Sequence, residues 1–370
     1  MDKNDDSIIG RRIGRRGLLA TALTGAGGTA LAAALPAVLA AGASRPALAQ
    51  ATQITVADPG GPYSPAFRKA FYDPFEQATG IKVINVAREA EPTAQFKAIV
   101  ETRSYSWDVC TLTLSARDIL AHQNLLEPLD FAAADAPGLM PDALTGQWMG
   151  TDVYSTILGY RTDKFPSNPP QSWADFWNVE KFPGRRSLRK NPIDTLEQAL
   201  LADGVPLDKL YPLDVERAFK SLDRIRPHIA AWWTGGAQST QLIQSGEVDM
   251  IALWNARAQA AIDGGAPVRI SWNQGLYSIE GWGIPRGNPR ADAARKFIKF
   301  CADPQRQAVF TEVLAYGPTN LKAYDAIPKE RAQALPTFPE NLKTMTIARE
   351  DWWGANRSKM SERFNAWILG

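Results

Sequence analysis

Two groups in one stretch of this sequence have the chemistry to meet a small charged molecule: the Trp254 and Arg257 pair, and Glu280. Arg257 stands one helical step after Trp254, so an aromatic face and a guanidinium would be presented together. A guanidinium fork reads a carboxylate through two parallel hydrogen bonds. Glu280 lies inside Tyr277-Ser278-Ile279-Glu280-Gly281-Trp282-Gly283-Ile284-Pro285. A carboxylate there is costly to bury unless a cation meets it. These residues alone leave a second reading equally open, an edge-strand Glu and a surface Arg.

The elements around them favour a crevice. Residues 249–253 are a short apolar run entered by a Ser245-Gly246 turn, which predicts a buried strand. Residues 256–262 have helix-forming composition, with Asn255 as the expected N-cap. In open α/β sheets ligands collect at such strand ends. Upstream, a strand at 53–58, a Gly/Pro-rich loop at 59–65, a helix at 66–79 closed by Gly80 and a strand at 81–86 make a βαβ unit with a parallel sheet. No G-x-G-x-x-G or Walker pattern accompanies the glycines, which argues against a nucleotide. Further on, a helix is expected at 91–102, a strand at 107–112 and a helix at 115–123. A strand at 153–161 then precedes a boundary in the proline-rich 166–170. Asn191-Pro192-Ile193-Asp194 caps a helix at 195–203, and Thr234-Gly235-Gly236 turns into a helix at 237–244 whose first N–H groups suit a carboxylate. The tail, 338–370, reads as helical.

The first 49 residues differ in kind. Arg15-Arg16-Gly17-Leu18-Leu19 heads an Ala/Leu/Gly-rich run that ends at the small-x-small site Ala47-Leu48-Ala49, with Ala49-Gln50-Ala51 as an alternative. This pattern is an export signal of the twin-arginine type, and it implies a periplasmic destination. These residues hold six of the 41 basic and three of the 39 acidic side chains, so the remainder carries 35 against 36. That balance gives no reason to expect nucleic acid or a membrane surface as partner. Cys110 and Cys301 each sit in apolar settings and are expected as separate buried thiols. With His122 and His228 as its two histidines and no G-x-S-x-G elbow, the chain lacks the parts for triad chemistry or a histidine-rich metal site. An exported hydrolase using a carboxylate pair stays open on residue counts alone.

Phe75-Glu76-Gln77-Ala78-Thr79-Gly80-Ile81-Lys82-Val83, Trp107-Asp108-Val109, Gly246-Glu247-Val248-Asp249 with Trp254-Asn255, Gly283-Ile284-Pro285 and Tyr316-Gly317-Pro318-Thr319-Asn320 follow one another in an order and spacing specific to one family. Over essentially its whole mature length the chain resembles the periplasmic solute-binding proteins of ABC importers, in particular the spermidine/putrescine-binding family. The resemblance implies a type II α/β fold of two lobes, each a mostly parallel sheet flanked by helices, joined by two hinge crossings. Lobe 1 would hold 52–158 and 282–320, and lobe 2 would hold 159–281 and 321–370. It also implies a monomer without catalysis, cofactor or metal, which delivers its solute to a membrane permease. Trp254 matches the family's ligand-stacking Trp, Glu280 falls where it keeps an amine-binding Asp, Tyr316 matches a pocket Tyr, and Asp194 falls near another acid.

Two departures from the family bear on the ligand. Gly60-Gly61-Pro62-Tyr63 replaces the first-loop acidic and aromatic pair of polyamine binders, leaving Tyr63 as a pocket wall, and Asn191 takes a second acidic position. A polyamine needs several carboxylates, and Arg257 stands where polyamine binders have nothing cationic. The expected ligand is therefore a zwitterion, an ω-amino acid such as γ-aminobutyrate, with Arg257 on its carboxylate, Glu280 on its ammonium and Thr234-Gly235 adding a polar contact. A polyamine is the next reading. A quaternary ammonium would need an aromatic cage, for which Trp232, Trp233, Trp272, Trp282, Trp352 and Trp353 are candidates.

Overall fold

The computed structural model describes residues 52–89 and 91–370. The expected export signal and both of its cleavage positions lie outside the described residues. Eleven described strands join in one sheet: β1 (Gln53–Asp58), β2 (Lys82–Ala87), β3 (Val109–Thr113), β4 (Leu144–Thr145), β5 (Trp148–Arg161), β6 (Arg186–Arg189), β7 (Ile229–Trp233), β8 (Met250–Trp254), β9 (Val268–Gly283), β10 (Gly317–Pro318) and β11 (Thr346–Ile347). The order is β2-β1-β3-β9-β5-β8-β6-β7, with β4 and β10 on β5 and β11 on β9. β1 is parallel to β2 and β3, and β6 is parallel to β7 and β8. β5 and β9 run antiparallel to each other and to β8 and β3 respectively.

The expected two-part α/β architecture is present, with one difference. Both halves share a single sheet, because β5 and β9, at 14 and 16 residues, are long enough to serve both. At about 3.3 Å per residue each covers roughly 50 Å. β3 pairs with Glu280–Gly283 at one end of β9, whereas β8 pairs with Thr156–Tyr160 at the far end of β5. Between these regions the β5–β9 register slips, from Thr156 opposite Leu276 to Leu158 opposite Ser271. Such an irregularity bends and twists the strands where the halves meet. The two crossings are thus β5 and β9 themselves.

Local sequence explains most elements. β8, Met-Ile-Ala-Leu-Trp, is an unbroken apolar run, as a strand covered on both faces requires, and its first four residues are buried. The first helix begins at Tyr63, ahead of the predicted 66. It runs as Tyr63–Phe67, a π-helical turn Arg68–Tyr72 and Asp73–Thr79, closed by Gly80 at φ 71°. The π turn keeps Phe67, Phe71, Tyr72 and Phe75 all buried. Asn255 is not the N-cap; Trp254 is, and Asn255 is the first helical residue. Its buried amide accepts from Ser155 N at 3.0 Å and donates to the Ala315 carbonyl at 2.6 Å, which ties β5 to the segment before β10. The stretch from 321 to 335, expected with the second lobe, packs in the first core through Ala323, Ile327, Ala332 and Leu335. Cys110 and Cys301 are free and buried.

In the second core, the helix Pro192–Ala202 carries Glu197 into full burial. Trp353 Nε1 and Tyr211 Oη each donate to it at 2.6 Å. Burial, together with nearby Asp194, pushes its carboxyl up to about 8. An acid whose pKa rises on folding stabilises the fold while both states are protonated, and loses that contribution as pH rises through the folded value. Urea resistance should therefore decline between about pH 4.5 and about pH 8. Glu197→Gln should reduce the decline, read as the unfolding midpoint against pH.

Candidate functional site

A cavity of about 370 Å³ opens where the carboxyl ends of β1, β2 and β3 meet those of β6 and β8 over the middle of β9. This is where strand ends of an open α/β sheet place ligands. Six expected residues line it: Tyr63, Asp194, Trp254, Arg257, Glu280 and Tyr316. Thr234 and Gly235 do not; both are exposed, and Thr234 N is taken by Gln238 Oε1 at 2.9 Å. The helix Gly236–Gln244 packs instead against the back of the site. A Cβ on Gly236 would lie 2.6 Å from Arg257 Nε and 3.0 Å from the Trp254 ring, so the close approach requires glycine.

Glu280 occupies the acidic end. β9 lies between β3 and β5, so this residue is interior rather than on an edge. The cation that its burial demands comes from the chain itself: Arg88 Nη2 lies 3.1 Å from Glu280 Oε1, with the arginine side chain 2% exposed. Arg88 Nε also donates to Thr111 Oγ1 at 2.8 Å. Glu280 Oε2 has no hydrogen-bond partner among the described residues. Directly opposite on β5, Asp152 is fully buried and accepts the Tyr63 hydroxyl at 3.3 Å. Burial next to Glu280 pushes the Asp152 carboxyl well above the usual carboxylate range. Arg88 follows β2 directly, so the strand-end rule that singled out Trp254 had the means to find it.

At the basic end Arg257 is half-buried and has no ion-pair partner among the described residues. A second guanidinium, Arg189, closes β6 and went unnoticed in the sequence. It lies 5.0 Å from the Trp254 ring centre and 5.7 Å from that of Trp233, and 3.4 Å from Asp194 Oδ2. Trp254, expected to stack on ligand, thus holds Arg189. Asp194 has φ 70° and ψ −41°, a strained backbone at a kinked helix start. Its Oδ2 also accepts Thr156 Oγ1 at 2.9 Å; burial raises its carboxyl and Arg189 opposes the rise. Asn191 caps this helix through Ile193 N at 2.9 Å.

Tyrosines form the remaining wall. The Tyr63 and Tyr316 rings lie 5.4 Å apart, and Tyr154 meets Tyr316 edge-on at 6.3 Å. Burial raises the pKa of Tyr63 and Tyr316, which keeps both hydroxyls neutral. None of the six tryptophans considered for a cage lines this cavity. Trp233, Trp282 and Trp353 are core residues, and Trp232, Trp272 and Trp352 pack against the cores. His122 and His228 are exposed at helix ends.

At the mouth, Glu91 and Arg357 form a bidentate pair at 2.8 and 2.6 Å. Glu91 follows β2, whereas the helix of Arg357, Glu350–Leu369, packs by Trp353, Met360 and Phe364 into the second core. Both side chains are substantially exposed, so the pair is worth about 1 kcal/mol or less. Glu91→Gln should speed ligand release by no more than about fivefold. The Glu91→Arg/Arg357→Glu exchange should restore the rate, measured by stopped-flow fluorescence.

The lining holds four guanidinium groups, on Arg88, Arg189, Arg257 and Arg357, against three carboxylates, on Glu91, Asp194 and Glu280. A ligand with several ammonium groups meets an excess of like charge here. One with a carboxylate at one end and an ammonium at the other meets its complement.

Residues 70–340 match the family model of bacterial extracellular solute-binding proteins. The chain is 38% identical over 329 residues to the γ-aminobutyric acid-binding protein of Pseudomonas aeruginosa, a match covering 87% of this chain and 92% of that one. It is 24% identical over 288 residues to the spermidine/putrescine-binding periplasmic protein of Escherichia coli, covering 75% and 81%. Among solved structures, a GABA receptor superposes with a TM-score of 0.78 at 35% identity, over 85% of this chain and 97% of that one.

Proposed function

We propose that this chain, which belongs to the family of bacterial extracellular solute-binding proteins, captures a small ω-amino acid of the γ-aminobutyrate type and hands it to an ABC permease from the periplasm. The observation that carries the reading is Arg257, a cavity-lining guanidinium with no carboxylate of its own among the described residues. The ligand carboxylate pairs with that fork. The ammonium meets the Glu280 carboxylate, whose Oε2 has no hydrogen-bond partner among the described residues, within the tyrosine wall. A cavity of about 370 Å³ is at the small end for ligand pockets, as a short solute requires. The γ-aminobutyrate-binding relatives support the same ligand class, and the positive balance of the lining argues against a polyamine.

The protein acts by binding alone, as a monomer. The slipped register of β5 and β9 is the hinge, with residues 52–158 and 282–320 moving as one lobe and 159–281 with the C-terminal helix as the other. The packing of Ala323, Ile327, Ala332 and Leu335 in the first core supports assigning 321–335 to the first lobe as well. A ligand that binds only the folded state raises the melting temperature by mass action. In a thermal-shift panel γ-aminobutyrate should raise it, while putrescine, spermidine and betaine should not. A shift confined to the polyamines would overturn the zwitterion reading.

A further inference from the structure

The acidic end of the cavity has more carboxylate than cation. Asp152 and Glu280 are directly paired across β5 and β9, which sets their Cβ atoms about 5 Å apart on one face. One guanidinium, Arg88, serves the pair, and it reaches Glu280 Oε1. Among the described residues, Asp152 Oδ1 and Glu280 Oε2 have no donor, and both are buried. Asp152 is wholly inaccessible, and among the described residues its one donor is the Tyr63 hydroxyl at a long 3.3 Å. A proton held between the two orphaned oxygens satisfies both at once and removes one of two like charges.

We propose that Asp152 and Glu280 share one proton in the ligand-free protein, and that the ligand ammonium displaces it to solvent. The inference rests on the amino-acid reading of the cavity. Asp152 is then a positioning residue: it does not line the cavity, but it sets the charge that Glu280 presents. Before binding, one guanidinium faces one net negative charge; afterwards, guanidinium and ammonium face two. No bond other than that to the proton is made or broken. The charged and titratable groups facing the pair are Arg88 beyond β2, Tyr63 on the first helix, Tyr154 on β5, Cys110 on β3 and Tyr316 ahead of β10. Burial raises Tyr63, Tyr316 and the Cys110 thiol, so these do not release a proton near neutrality, and the pair is the proposed source. Burial, and repulsion by the neighbouring Glu280, push the Asp152 carboxyl well above the usual carboxylate range.

Titration calorimetry of the intact mature protein with γ-aminobutyrate, in buffers of different ionisation enthalpy at pH 7, counts the protons. The slope of observed enthalpy against buffer enthalpy should report about one proton released, and affinity should rise up to about tenfold per pH unit below the pKa of the pair. Asp152→Asn should bring the slope to zero and flatten the pH profile. Should that variant fail to fold, the wild-type slope and pH profile decide alone. Binding heat with no proton released, or an unchanged release in Asp152→Asn, would overturn the shared proton while leaving the ligand class intact. Absence of binding heat for γ-aminobutyrate would instead overturn the ligand reading, and this inference with it.

Discussion

Replacing Arg257 by methionine should weaken γ-aminobutyrate binding by about 30- to 5,000-fold, the equivalent of about 2–5 kcal/mol. The substitution keeps much of the apolar stem and removes the fork, so the ligand carboxylate enters a half-buried site unpaired. No neighbour can substitute. Arg189 is engaged by Asp194 and by the faces of Trp254 and Trp233, Arg88 by Glu280, and Arg357 by Glu91. Arg257→Lys should fall between, because an ammonium supplies charge without the planar fork. Fluorescence titration of the tryptophan-rich chain is a direct reading. An unchanged Kd in Arg257→Met would remove this residue from the site.

Arg88→Met should cost about 3–5 kcal/mol of folding stability, the usual result of removing one partner of a buried ion pair. Glu280 would keep its burial and lose its guanidinium, with Asp152 already beside it. The effect is expected in urea unfolding of the ligand-free protein, which separates it from any change in affinity. Adding Glu280→Gln to Arg88→Met should recover part of the loss, since the second change removes the uncompensated charge. If the double variant proves as unstable as the sum of the two single ones, Arg88 acts through its bonds to Thr111 and the Glu89 carbonyl rather than through Glu280.

Much of this site was legible in the sequence because strand ends are legible. The apolar run before Trp254 announces a buried strand, the aromatic run around Glu280 marks a carboxylate that needs a cation if buried, and residues just past buried strands face the crevice. The same rule applies to Arg88 after β2 and Arg189 at the end of β6, but neither stands out as a type: arginines at strand ends are common on surfaces. What the sequence could not carry is pairing. That Glu280 meets Arg88, 192 positions away, is a product of the β1–β2 and β3–β9 registers. Asn255 is not the cap that local pattern suggests, and Trp254 has a partner that local pattern does not show, for a related reason. Local pattern makes Asn255 a cap and Trp254 a ligand platform. Tertiary contacts turn the first into a bridge between Ser155 and Ala315 and the second into a seat for Arg189. The single continuous sheet was hidden likewise, because the sequence predicts a strand at 153–161 but shows neither the length of β9 nor its alignment with β5 along almost their whole length.

The most direct test of the account is titration calorimetry of the mature protein with four ligands that dissect the two charges: γ-aminobutyrate, butyrate, butylamine and putrescine. Arg257 and Glu280 together predict that γ-aminobutyrate binds and that either half-ligand, lacking one charge, binds at least about 30-fold more weakly. Putrescine should resemble butylamine. Binding of putrescine as tight as that of γ-aminobutyrate would contradict a carboxylate-reading Arg257 and return the cavity to the amines.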